Sequence, residues 1–155
     1  MADAVPAPRV IRHETAKLRR RRDDRWLALT GLIGALLALP LAQSSWHGPE
    51  VAAVLAVSAT ALLAGQRWAI GLIVTAQLFL IPTVWPRAFL EYSDITSSIV
   101  ALVTLASMVP GILAMRRAAA ALVLVTGRER TPRMCRRFHT GLLAVGVLAI
   151  VVPLL

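Results

Sequence analysis

Four consecutive arginines, Arg19, Arg20, Arg21 and Arg22, lead through Asp23-Asp24-Arg25 into an apolar run that opens at Trp26 and ends near Ala42. The run carries no charged residue and is long enough, as a helix, to cross the hydrocarbon core of a bilayer. Arginines on that flank are expected to stay on the cytoplasmic side, so this junction sets the direction of every later crossing. The rest of the chain agrees with a multi-pass reading. Of its 155 residues 57% are hydrophobic and only 16% charged, where a soluble domain has about a quarter of its residues charged.

The sequence predicts an all-α polytopic bundle of five spans, at residues 26–45, 50–64, 68–85, 95–115 and 139–155. A basic cytoplasmic tail (1–25) precedes them. A second basic segment (116–138) contains an apolar insert, 118–126, too short to span, which would either extend the fourth helix or lie in the interface. Residues 1–18 read as a loosely ordered tail and 14–25 as a short helix entering the membrane. Gly65-Gln66-Arg67 reads as a tight turn. The rival reading of residues 19–42 is a twin-arginine export signal, but no small-x-small cleavage site follows the run. Pro40 falls in the last turn of the first span, and Pro110-Gly111 is expected to kink the fourth.

Counting charges orients the bundle. With the N-terminus inside, the inner segments hold eight (9–25), one (Arg67) and seven (116–137) basic residues, against Arg87 alone outside. That asymmetry gives an inner N-terminus and an outer C-terminus. The tryptophans agree, with Trp26 and Trp68 at the inner interface and Trp46 and Trp85 at the outer one. A net charge of +9 would suggest nucleic acid in a soluble protein; between apolar spans it instead retains loops and meets anionic headgroups. The residues assigned to that role are Arg19, Arg20, Arg21, Arg22, Arg25, Arg116, Arg117, Arg128, Arg130, Arg133, Arg136 and Arg137. No nucleic-acid partner is expected. The excess of Arg over Lys and the abundant Ala fit a GC-rich bacterial genome, hence a bacterial cytoplasmic membrane.

Small residues at helical spacing mark packing faces: Gly31, Ala35, Ala38 and Ala42 in the first span, Ser107, Gly111, Ala114 and Ala118 in and after the fourth. A similar stripe in the second, Ala53, Ala56, Thr60 and Ala64, means less because that span is rich in alanine throughout. Gln77 sits at the middle of the third span, where an amide facing lipid would lack partners; an interhelical hydrogen bond is the simple reading, and a polar pathway beside the Pro110 break the functional one. No Asp, Glu, Lys or Arg lies deep in a span, which argues against a proton-driven carrier and against buried acid–base catalysis.

No catalytic motif, phosphate-binding glycine loop or internal repeat occurs, and no cofactor is implied. His47, Glu50, Glu91 and Asp94 fall on the outer side and are weak metal candidates whose spacing matches no metal motif. Cys135 and His139, one helical turn apart among arginines, make a poor cation site, and one cysteine excludes an internal disulfide. The expected role is a non-enzymatic accessory or scaffold subunit of a larger membrane assembly, partnered by other membrane subunits or by copies of itself. A small transporter or channel subunit is the alternative, and a membrane enzyme the third reading.

Overall fold

A computed structural model describes residues 8–42, 48–90, 95–127 and 129–155, without the side chains of 8–14, 40–42 and 48. Among these residues the fold is all helical: α1 (Pro8–Ala42), α2 (Gly48–Leu63), α3 (Ala69–Phe89), α4 (Ile95–Leu113), α5 (Met115–Val125) and α6 (Pro132–Val151), with a closing 3-10 turn, Val152–Leu154. Ala69–Phe89, Ile95–Leu113 and Pro132–Leu154 are each long and apolar enough to cross a membrane; Pro49–Leu63 is apolar but shorter.

Helix α3 is the axis of the molecule. It packs against all five other helices and is buried on nearly every side, from Ala69, Ile70 and Gly71 to Val84, the pattern of a helix enclosed by others. Helices α1, α2, α3 and α4 form one group in which α1 and α3 each contact both α2 and α4; α5 and α6 pack on α3 and on each other. The outer helices bury one stripe each. For α2 it is Ala52, Leu55, Ala59 and Leu62, at the three- and four-residue steps that place side chains on one helix face. The stripe of Ala53, Ala56, Thr60 and Ala64 is therefore not the face α2 buries: Ala53, Thr60 and Ala64 are exposed.

Several boundaries differ from those the sequence suggests. Helix α1 already runs from Pro8, where a loosely ordered tail was expected; proline is tolerated in a first turn, and residues 9–25 contain neither glycine nor proline to stop the helix. Helix α3 continues past residue 85 to Phe89, through Pro82 and Pro86, which helices in an apolar setting accommodate. The insert at 118–126 is a separate helix, α5, with Met115, Ala118, Ala119, Ala120, Ala121 and Val123 buried. It is not free on a surface, because its run of alanines lets it press against α3 and α6. Helix α6 begins at Pro132, seven residues before the expected span, because Thr131 caps it by accepting the Met134 N–H at 3.4 Å.

Two turns use backbone that favours glycine. Gly65 follows α2 at φ +90° and Gly127 follows α5 at φ +67°. At the first, the Gln66 N–H reaches the Ala61 carbonyl and the Gly65 N–H the Leu62 carbonyl, both at 3.0 Å. This Schellman pair ends α2 and returns the chain into α3.

Candidate functional site

The basic residues of three separate segments meet at one end of the molecule. Arg20 of α1, Arg67 of the α2–α3 turn, Arg117 of α5 and Arg130 of the α5–α6 connection line a common cavity of about 290 Å³, with Asp24 and Trp68. A second cavity of about 320 Å³, between α1 and the end of α2, is lined by Arg21, Arg25, Arg67 and again Asp24. A third, of about 600 Å³, lies between α5 and the start of α6 and holds Arg116, Arg130, Arg136, Cys135 and His139. Arg19, Arg22, Arg133 and Arg137 are exposed. Arg128 lies outside the described residues, as do His47, Glu91 and Asp94. Glu50 is exposed in the first turn of α2, where a carboxylate is favoured by the helix dipole. No group of three His, Cys, Asp or Glu able to hold a metal ion occurs among the described residues.

Asp24 explains how this end holds together. Its carboxylate accepts a hydrogen bond from the Arg117 guanidinium, pairing α1 with α5; the two side chains are 18% and 37% exposed. Burial lowers the Arg117 pKa from its ordinary value, Asp23 opposing that shift and Arg20 adding to it. Arg117, one of the arginines the sequence assigns to headgroups, is thus also a half-buried link between α1 and α5.

At mid-bundle the helices approach through glycine. The predicted packing positions Gly31, Ala35, Ala38, Ser107, Gly111 and Ala114 are all buried. Gly34, not singled out from the sequence, is a close seat: a Cβ added there would lie 2.7 Å from the Ser107 Oγ. Gly111 holds the amide of Gln77 so closely that an added Cβ would overlap it. Ser107 donates to the Thr104 carbonyl at 2.6 Å and Thr104 to the Val100 carbonyl at 2.7 Å, so both hydroxyls are satisfied within α4.

Gln77 is the exception. It is 3% exposed, and neither its Nε2 nor its Oε1 has a hydrogen-bond partner among the described residues. Among the described residues the interhelical hydrogen bond expected of it is not formed; its amide lies against Gly111 of α4. Pro110 lies inside α4, and the helix continues through Gly111 to Leu113. Ala114, at φ −86° and ψ 0°, then separates α4 from α5.

At the opposite end Trp85 donates its indole N–H to the Ile150 carbonyl at 3.0 Å, tying α3 to α6. Ile150 lies in the last turn of α6, where carbonyls lack partners within the helix. Trp85 therefore anchors a contact as well as marking a helix end.

The helices and their arrangement define a helical membrane protein. No protein-family model, curated protein or solved structure matches the chain.

Proposed function

We propose that the chain is a five-span protein of a bacterial cytoplasmic membrane, its arginine-rich end and N-terminus inside and Leu155 outside, with span 4 kinked at Pro110-Gly111. In this reading it works as a non-enzymatic accessory or scaffold subunit of a larger membrane assembly. The observation that carries the reading is the filled middle of the α1–α4 group, where Gly34 seats Ser107 and Gly111 seats Gln77. Packing this close at mid-depth suits a structural bundle, since interiors at native density leave no passage for solute. Convergence of three basic segments at one end supports the orientation, because loops carrying Lys and Arg remain on the cytoplasmic side. The exposed arginines would then meet anionic headgroups.

The test is purification in mild detergent with size analysis, followed by reconstitution. A stable hetero-complex, with liposomes containing the chain no leakier than empty ones, is the expected result. A homo-oligomer that carries or conducts solute would overturn it in favour of transport. That second reading has one observation of its own, the unpartnered Gln77 amide beside the Pro110 break. Pro110→Ala separates the two: a scaffold responds in assembly or stability, a hinged transporter in flux. Orientation is read separately on Cys135, which should react in intact cells with a membrane-permeant maleimide and resist an impermeant one.

A further inference from the structure

The cavity between α5 and the start of α6 differs in kind from its neighbour. Arg116 comes from α5, Arg130 from the connection, and Arg136 and His139 from α6, with Cys135 beside them. No carboxylate lines it, whereas the adjoining cavity includes Asp24, which is paired with Arg117. Among the described residues none of its three guanidiniums has an ion-pair partner; Glu129, next to Arg130 in sequence, is exposed and lines neither cavity. The Nδ1 of His139 is buried with no hydrogen-bond partner among the described residues. Arg130 lines both cavities.

A concave site with three uncompensated guanidiniums and an imidazole repels cations and favours an anion with several acceptor oxygens. Guanidinium forks bind such oxygens in pairs, and they match phosphate geometry as a point charge does not. A phosphate monoester brings three terminal oxygens and close to two negative charges, more than a carboxylate or a phosphodiester can offer to three arginines. We propose that this α5–α6 cavity is a binding site for a phosphate monoester group, presented either by a lipid headgroup or by a soluble organic phosphate. The lipid source rests on the reading that the arginine-rich end faces a membrane surface; the site itself does not.

Cys135 lines the cavity and is the only cysteine of the sequence, so its rate of reaction with a maleimide reports occupancy. The full chain is placed in nanodiscs of phosphatidylcholine alone, with added phosphatidic acid (a monoester), or with added phosphatidylglycerol (a diester). A fourth sample has glycerol 3-phosphate in solution over phosphatidylcholine. A monoester held at roughly ten times its Kd should slow labelling roughly tenfold, since only about a tenth of the sites are then empty. Slowing by phosphatidic acid alone identifies a lipid source; slowing by glycerol 3-phosphate as well identifies a soluble one. The R116Q/R130Q/R136Q variant should lose the effect, and R19Q/R22Q/R25Q, which removes the same charge away from the cavity, should keep it. No slowing by either monoester, equal slowing by phosphatidylglycerol, or equal loss in both variants overturns the site. Nanodiscs expose both faces, so an error in orientation or in the accessory-subunit reading would leave this result unchanged.

Discussion

Gly111 of α4 holds the Gln77 amide of α3 against its Cα, and a methyl group at Gly111 would overlap the Gln77 carbonyl oxygen. In a soluble helix Gly→Ala gains roughly 1 kcal/mol of propensity. Here Gly111→Ala should lose stability, by about 2 kcal/mol, because Gln77 is buried and has little room to swing aside. The same substitution placed on Gln77→Ala should become neutral or stabilising. That reversal of sign is the coupling expected of residues in direct contact, and a double-mutant cycle of thermal unfolding in detergent measures it. Additive effects would mean that the two residues do not touch. Gln77→Leu alone, which removes a buried amide without partners, should be stabilising by roughly 1 kcal/mol.

A second glycine seats α5. A Cβ at Gly71 would come within 2.9 Å of the Leu122 side chain and 3.4 Å of its backbone nitrogen. The side chain can turn away, but the backbone cannot without moving the helix. Gly71→Ala should therefore destabilise by about 1 to 3 kcal/mol and loosen α5 first. Hydrogen exchange is the informative readout: amides of 118–125 should lose protection while those of α2 keep theirs. Uniform loss along the chain would place the effect elsewhere.

These two contacts show what could be read from residues alone. The helical class, the faces of α1 and α4 and the Gly65 turn are visible in the sequence, because periodicity and glycine are local signals. Gly31, Ala35 and Ala38 lie at four- and three-residue steps, and burial follows them. What α5 does is not local. Residues 118–126 are too few to span, so an argument from length leaves them extending the fourth helix or in the interface, yet alanines 118–121 are all buried and Leu122 of the same helix lies against Gly71. Gly71 itself stood out in no stripe, since α3 buries residues around most of its circumference and no single small-residue face is distinguished. The fate of Arg117 was hidden for a related reason. Its position after span 4 says headgroup, and spacing alone carries no sign of its ion pair with the distant Asp24, on α1. The cavity chemistry at Arg116, Arg130 and Arg136 needed the α5–α6 pairing in the same way.

The Trp85–Ile150 hydrogen bond gives a test at the other end of the fold. Trp85 is half-buried and its ring also lies 5.2 Å from that of Phe89, tilted by 49°. Trp85→Phe keeps an aromatic ring and removes the donor, so the Ile150 carbonyl loses its link to α3. The expected cost is about 1 kcal/mol, with faster exchange in the last turn of α6. An unchanged melting temperature with unchanged exchange would mean that the bond contributes nothing.

The Asp24–Arg117 pair joins the charged half of α1 to α5, and the two substitutions that break it should differ. Arg117 is 37% exposed and Asp24 18% exposed, so solvent screens the pair and its worth is about 1 kcal/mol, not the several lost when one partner of a fully buried pair is removed. Asp24→Asn leaves Arg117 partly buried in a cavity shared with Arg20, Arg67 and Arg130, without its own carboxylate partner. Arg117→Met removes a like charge from that cluster and keeps an apolar stem against α1. Asp24→Asn should thus be the more damaging change, and its cost should shrink as salt screens the arginines from one another. Arg117→Met should cost little and depend weakly on salt. The double variant should resemble Arg117→Met, since the stranded guanidinium is gone. Melting temperatures in detergent at low and high salt give all three comparisons, and an Arg117→Met protein less stable than Asp24→Asn at low salt would refute the account of Asp24 as the counter-charge for this end of the bundle.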